Sequence, residues 1–328
     1  MSRAEVRVPD ESALAEAASI LEAGGLVAFP TETVYGLGAD GLDAEAVARI
    51  FAAKGRPADN PLILHVAAVE QLRQVTRGVS PAALRLAEAF WPGPLTLVLP
   101  KARAVPPITT AGLDSVAVRV PSHPVALGLL RAFGGPIAAP SANRSGRPSP
   151  TRAEHVAEDF GDEVAMVLDG GATTHGVEST VIDCTESPPV LLRLGALTRE
   201  AIEAVVGPVA TTPGEDAARR SPGLRHRHYA PRARVVIAAP GELARVVAKL
   251  RASGERVAAI VREGEPGAAA AQVWRVPEDS ELQGYARELY AALRGLDAGG
   301  VGVIVAESVP EEGLGRVIMD RLRRAAER

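Results

Sequence analysis

Apolar residues recur along this chain with two periods, one helical and one strand-like, and their order sketches the fold. In 11–23, Leu14, Ala17, Ala18 and Leu21 share one helical face, and Gly24-Gly25 provides a stop. The apolar run 26–29 predicts a short buried strand that ends in a turn at Pro30. Asp43 is placed to cap a helix with Val47, Ile50 and Phe51 on its inner face, and Gly55 to end it. A strand is expected over 62–66. Ser80-Pro81 then has the N-cap and N1-proline order of a helix start, with a stop at Trp91-Pro92-Gly93. Strands at 95–99 and 116–120, a helix over 124–133 and a strand at 137–139 follow. Thr151-Arg152-Ala153-Glu154 has the form of a capping box. Strands at 164–168, 180–183 and 190–194 and a helix capped by Thr198 and reaching Val206 complete this part.

Strands outnumber helices and alternate with them irregularly, which predicts an α/β domain with a twisted mixed sheet over 10–207. Residues 208–232 are rich in Pro, Gly and charge and have no period, so they are expected to form a linker. From 233 to 328 the pattern becomes a βαβ series: strands in VVIAA, VAAIV, around Val273 and in VGVIVA, with helices near 242–252, over 282–293 and at the end. A small Rossmann-like parallel-sheet domain is the expected result.

The chain of 328 residues is 47% hydrophobic and 23% charged, an ordinary globular balance. Its formal net charge of −4 supplies no global field toward nucleic acid, and aromatics at 3% leave few stacking platforms. The single cysteine, Cys184, excludes an intramolecular disulfide and a Cys-rich zinc site; in STVIDCT it reads as a small buried side chain. MSRAEVRVPDES lacks an apolar core, and no run approaches about 18 apolar residues, so a soluble cytoplasmic protein without a membrane segment is expected.

The sequence lacks a G-x-x-x-x-G-K-[ST] phosphate loop, an H-E-x-x-H metal motif and a G-x-S-x-G nucleophile elbow. The candidates lie elsewhere. Hydroxyls of Thr31, Thr33 and Tyr35 precede a helix whose end carries Lys54, Arg56 and Asn60. Lys54 and Arg56 are either ordinary cations at a helix C-terminus or donors for an anion. The stiff Arg56-Pro57 and Asn60-Pro61 pairs favour the anion. His65 in LILHV is a core histidine by default and a site residue by its place after the basic loop. Arg119 in VAVRVP needs a carboxylate, from protein or ligand. Arg193 in VLLRLG repeats that pattern. The loop 140–151 carries Ser141, Asn143, Ser145, Gly146 and Ser149 with Arg144 and Arg147 and no acid: either a polar connector or an anion nest. Gly176 to Thr180, at another strand start, is a weaker candidate. In the linker, Arg225, Arg227, Arg232 and Arg234 surround Tyr229, as a tether, a nucleic-acid patch or a lid.

FPTETVYGLGAD, KGRPADNPLILHV, WPGPLTLVL, VAVRVP, APSANRSGRPSPT, GVESTVID and LLRLGA occur here in the order seen in YrdC-like proteins. With SPGLRHRHYAP and GLGRVIMDRLRRAA, the chain resembles the two-domain form of L-threonylcarbamoyladenylate synthase from about residue 12 to the end. The resemblance implies synthesis of threonylcarbamoyl-AMP from L-threonine, bicarbonate or CO2, and ATP, with pyrophosphate released and Mg2+ carried by the phosphates. A separate transferase complex would pass the product to the adenosine next to the anticodon of tRNA, with at most weak tRNA contact here. The resemblance places Thr33, His65, Arg119, Ala139 and Ser179 on threonine. It places Arg56, Asn60, Ser115, Ser141, Asn143, Ser149, Arg193 and Tyr229 on ATP, with Lys54 and Arg56 as the catalytic cations and Tyr229 as part of a lid. Arg225 and Arg227 stand where the family often has lysine. A double-stranded RNA or tRNA-binding translation factor is the alternative. A carbamoyl-transferring hydrogenase-maturation protein is a second rival, excluded by the lone cysteine.

Overall fold

The computed structural model describes residues 5–211, 219–221, 229–262, 269–277, 279 and 282–327. The chain forms two units, 1–145 with 150–174 and 178–226, and 227–328 with the loop segments 146–149 and 175–177. Each is described separately.

The first unit opens with β1 (Glu5–Arg7), α1 (Glu11–Glu22), β2 (Val27–Phe29), β3 (Gly36–Asp40), α2 (Ala44–Lys54) and β4 (Ile63–His65). Next come α3 (Leu72–Val75), α4 (Pro81–Phe90), β5 (Leu95–Pro100), β6 (Ser115–Arg119), α5 (Pro124–Phe133) and β7 (Ile137–Ala138). It closes with α6 (Ala153–Phe160), β8 (Met166–Leu168), β9 (Thr180–Asp183), β10 (Val190–Arg193), α7 (Arg199–Val206) and β11 (Ala210–Thr211). The strands form one mixed sheet in the order β1-β8-β2-β3-β7-β4-β6-β5-β9-β10-β11.

Local chemistry sets the helix ends. Asp10 accepts from Ala13 N at 2.7 Å, Asp43 from Glu45 N at 2.8 Å, and Ser80 and Thr198 cap α4 and α7. Gly55 ends α2 in the left-handed conformation, φ 59°. The capping box at Thr151 does not form. Helix α6 starts one residue too late for it: Arg152 is the N-cap residue without a side-chain bond, and the Thr151 N–H goes to His155 Nδ1 at 3.2 Å.

Strand β3 had no hydrophobic alternation to announce it. Gly36-Leu37-Gly38-Ala39-Asp40-Gly41 carries the spacing of a dinucleotide-binding turn, yet it forms a strand against β2 and β7. Its glycines serve close packing. A Cβ at Gly38 would lie 2.8 Å from Phe29, and one at Gly41 2.5 Å from Leu64.

The second unit holds β12 (Arg234–Ala238), α8 (Leu243–Ala252), β13 (Val257–Arg262), β14 (Gln272–Val276), α9 (Gln283–Ala298), β15 (Val303–Glu307) and α10 (Leu314–Ala326). Its sheet, β12-β15-β13-β14, is parallel throughout, so the expected mixed-sheet domain and small parallel-sheet domain are both present. Helix α9 runs past the expected end at 293 because Gly295 is a packing glycine there. A Cβ at that position would sit 2.4 Å from the Trp274 ring.

Candidate functional site

The site lies on one face of the large sheet, and strand alternation explains how it arises. Residues paired across neighbouring strands share a face, as do residues two apart along a strand. Ile63 pairs with Ala117, Ala117 with Val98, and Arg193 with Val181. Ile63, Ala117, Val98 and Val181, with Val190 and Leu192, form a compact buried apolar cluster. Two residues further along the same strands, that face turns polar: His65 on β4, its register partner Arg119 on β6, Thr96 on β5, and Ser179 just before β9. His65, Arg119, Thr96 and Ser179 therefore form a polar row across four adjacent strands.

The row is buried and tightly bonded. Arg119 donates from Nη1 to Thr33 Oγ1 at 2.9 Å and from Nε to the Gly93 carbonyl at 3.1 Å. Because the guanidinium can only donate, the Thr33 proton is directed to Thr31 Oγ1 at 2.8 Å, and the Thr31 proton to the Val34 carbonyl at 2.6 Å. Arg119 Nη2 also lies 2.7 Å from Glu32 Oε1, an ion pair with both side chains about 95% buried, although its angles are not those of a hydrogen bond. At the other end of the row, Ser179 Oγ and Thr96 Oγ1 are 2.7 Å apart. Arg193 donates from Nη2 to both Ser179 O, at 2.9 Å, and Ser179 Oγ, at 3.2 Å. This approach requires Gly195, since a Cβ there would meet the Ser179 carbonyl carbon at 2.3 Å.

His65 is fully enclosed, edge-on to Phe29 with ring centroids 6.2 Å apart. Burial, helped by the positive charge of Arg119, pushes its pKa down to about 3, so the imidazole is neutral at physiological pH. Burial alone would raise the Glu32 carboxyl, but Arg119 together with the backbone N–H groups of Glu32 and Ser122 outweighs it and holds Glu32 below the ordinary glutamate value. The consequence for stability has a definite sign. Between about 6.5 and about 3 the unfolded chain protonates His65 and the folded chain does not, so stability falls with falling pH at up to ~1.4 kcal/mol per pH unit. Below the ordinary glutamate value of 4.5 the depressed pKa of Glu32 adds to that loss. In urea titrations from pH 7 to pH 4, His65→Asn is expected to flatten the dependence; equal slopes for variant and parent would contradict it.

The remaining expected residues gather at the opposite end of the same strands. Ser115, the first residue of β6, lies four residues from Arg119, roughly 13 Å at about 3.3 Å per residue. Beside it, two residues before β4 along the extension of the Ile63–Ala117 register, comes Pro61. The Pro61 carbonyl accepts from Arg56 Nη2 at 2.9 Å and the Asn60 carbonyl from Arg56 Nε at 3.2 Å. Asn60 is completely buried. Lys54, 3% exposed, donates its ammonium to the carbonyls of Ser141 and Asn143, while Ser145 N returns to Lys54 O at 2.9 Å. Ser141 Oγ reaches Asn143 Oδ1 at 2.6 Å.

Several of the expected residues have bonds of their own within the protein. Lys54 holds the 141–145 loop with at least two of its ammonium protons, so its visible work is shaping that loop. Arg193, expected on ATP, donates to Ser179, expected on threonine, and so lies beside the polar row. Ala139 is outside the row, with its N–H on the Ile63 carbonyl at 2.9 Å and its methyl in the core beneath α1 and α5. In the second unit, Ser149 is 1% exposed and follows Pro148, whose carbonyl accepts twice from Arg294, at 3.0 and 2.6 Å. Tyr229, expected in a lid, is a packed residue of that unit: its ring stacks on Tyr290 at 5.3 Å and carries the Arg321 guanidinium at 5.1 Å. Arg225 and Arg227 lie outside the described residues. A groove of about 590 Å³ between α1 and α5, lined by Asp10, Leu14, Ala18 and Gly128, contains none of the expected site residues.

Sequence reasoning missed Glu32, Thr96 and Gly195. Glu32 was legible: the argument that a cation in the strand VAVRVP needs a carboxylate applies equally to the acid in the apolar run around FPTETVYG.

Fold and site together define an α/β enzyme architecture with two polar ends on one sheet face, followed by a small parallel-sheet domain. The chain belongs to the Sua5/YciO/YrdC family: that family model, described as "Telomere recombination", matches residues 19–195, and the model "Threonylcarbamoyl-AMP synthase, C-terminal domain" matches 197–327. It is 51% identical over 321 residues to the threonylcarbamoyl-AMP synthase of Pyrococcus abyssi, covering 94% of this chain and 93% of the relative. The Bacillus subtilis threonylcarbamoyl-AMP synthase is 47% identical, covering 95% and 92%. The crystal structure of P. abyssi Sua5 complexed with L-threonine superposes with a TM-score of 0.92 at 48% identity, covering 99% of this chain and 97% of that one.

Proposed function

We infer that this protein is a threonylcarbamoyl-AMP synthase, joining L-threonine, bicarbonate or CO2, and ATP with release of pyrophosphate. The observation that carries the reading is the polar row, in a chain related over nearly its whole length to synthases of that name. A buried guanidinium beside threonine and serine hydroxyls and a neutral imidazole suits a small hydroxy amino acid: Arg119 takes the carboxylate, and Thr33, Ser179 and His65 surround the hydroxyl and amine.

Arg56, Asn60, Ser115 and the loop 141–145 form the nucleotide end, about one strand length away. Lys54 keeps that loop in place. Mg2+ would arrive on the phosphates of ATP, where it neutralises phosphate charge. The donors at this end are guanidinium, amide and hydroxyl groups, which meet phosphate oxygens rather than a metal. The reaction needs no covalent enzyme intermediate. The threonine amine captures CO2, the carbamate oxygen attacks the α-phosphorus, and pyrophosphate leaves. The protein contributes position and positive charge.

Lys54, Arg119 and Arg193, at 3%, 3% and 7% exposed, are too buried to track a phosphate backbone, so these cations give the nucleic-acid-binding alternative no support. Transfer of the product to tRNA by a separate complex, with at most weak direct tRNA contact, and a cytoplasmic location complete the proposal; among the described residues no helix is long and apolar enough to cross a membrane. Incubation with ATP, 13C-bicarbonate and L-threonine is expected to yield an adenylate that carries both the 13C and threonine. An adenylate without threonine would refute the assignment.

A further inference from the structure

We propose that Glu32 binds the α-ammonium of the amino-acid substrate and takes its proton, after the substrate carboxylate has displaced it from Arg119. This rests on the synthase reading above and adds to it a residue for the carbon-capture step.

Three features of Glu32 support the proposal. Its carboxylate is deeply buried in the polar row, yet neither oxygen makes a well-aligned hydrogen bond; beside the backbone N–H groups of Glu32 and Ser122, its strong contact is the 2.7 Å ion pair with Arg119. Its backbone is fixed on both sides: the turn is closed by the Thr31 and Thr33 bonds, and the Glu32 carbonyl accepts from Thr174 Oγ1 at 3.2 Å. And it is the negative partner of the same guanidinium that suits the substrate carboxylate.

An α-amino acid presents a carboxylate and an ammonium on one carbon, and the Glu32–Arg119 pair is the complement of that zwitterion. When the substrate carboxylate reaches Arg119, Glu32 loses its counter-ion and remains buried. Desolvation, the largest single influence on Glu32, is then opposed only by the backbone N–H groups of Glu32 and Ser122, and it favours the protonated carboxyl. The ammonium beside it is the available proton source. The other charged or titratable groups that face Glu32 do not compete for the proton. Arg119 on β6 is a guanidinium, which donates only, and buried His65 on β4 is a weak base. His123, the N-cap residue of α5, is half-buried with its own pKa lowered by burial, and its Nδ1 accepts from Val125 N.

The step balances. One ammonium proton moves to a Glu32 oxygen, leaving a neutral amine. The nitrogen lone pair forms the C–N bond to CO2 as one C=O π pair moves to oxygen. The second nitrogen proton leaves to solvent, giving the carbamate anion, and Glu32 later returns its proton to solvent.

The test compares full-length Glu32→Gln and Glu32→Asp with the parent. Glutamine keeps an acceptor for Arg119 but cannot take a proton. The readout is threonine-limited pyrophosphate release from pH 7 to pH 9, expressed as the ratio of variant to parent, so that the pH dependence of the bicarbonate–CO2 supply cancels. For Glu32→Gln the ratio is expected to be about 10² to 10³ below unity at pH 7 and to rise about tenfold per pH unit, because the amine must then arrive deprotonated. The Glu32→Asp ratio is expected to stay flat, since the base is kept. A flat ratio for Glu32→Gln, or parental activity at pH 7, overturns the proposal.

A measurement on the parent protein alone decides the matter if the glutamine variant does not fold. The α-hydroxy analogue of threonine, which lacks the ammonium, is expected to bind at least about tenfold more weakly than L-threonine in calorimetry, the penalty for one charged contact. Equal or tighter binding of the analogue overturns the proposal. Absence of threonine-dependent activity in the parent would instead overturn the synthase reading.

Discussion

Arg119→Met is expected to abolish threonine-dependent pyrophosphate release and to destabilise the fold by about 3–5 kcal/mol. Both effects follow from one geometry. The guanidinium reaches Glu32, Thr33 and Gly93 through three separate nitrogens, all within a buried row. Methionine fills much of the volume but leaves Glu32 as a buried carboxylate without its cation, and leaves the hydroxyl chain of Thr33 and Thr31 without its donor. The double variant Arg119→Met/Glu32→Leu separates the two roles. Replacing both charges by apolar groups is expected to restore most of the stability in chemical denaturation and none of the activity. Recovery of activity in the double variant would show that Arg119 acts only on Glu32. Parental stability in the single variant would show that the ion pair is not buried as described.

The second large effect is expected at Lys54→Met. Its ammonium ties the last turn of α2 to the carbonyls of Ser141 and Asn143, and Arg144 adds a bond from the same loop to the Ala53 carbonyl. Removing the amine leaves two carbonyls without a donor, at about 1–3 kcal/mol for each buried group. The loop is then free to leave its position at the nucleotide end. The expected outcome is an activity loss on the order of 10²-fold, read mainly as a raised KM for ATP, with faster amide exchange over 141–145. A variant with unchanged KM for ATP and a proportionate fall in kcat would instead place the ammonium on the reacting phosphates. That is the role the family resemblance implied.

Much of this was written in local sequence. Capping residues and helical periodicity located α1, α2, α4, α5 and α7, because those signals act within one or two turns. The change to a βαβ pattern after 232 separated the small parallel sheet. What stayed hidden depended on distant partners. Strand β3 could not be read because its glycines answer to Phe29, Ile137 and Leu64, not to any local propensity. Helix α9 passed Gly295 because a tryptophan from another strand occupies that space. Lone cations in apolar strands marked Arg119 and Arg193 as site residues, since burial of a guanidinium demands a partner. Which partner it was, Glu32 for one and Ser179 for the other, depended on the sheet order that brings β6, β5, β9 and β10 side by side.

The central claim is that this sheet face activates the carbamate of L-threonine as an adenylate. Pyrophosphate release from ATP, measured on the full chain with L-threonine and bicarbonate each omitted in turn, tests it most directly. Release is expected to fall to background when either is left out and to return when it is added back. Release that continues at the same rate without L-threonine would contradict it.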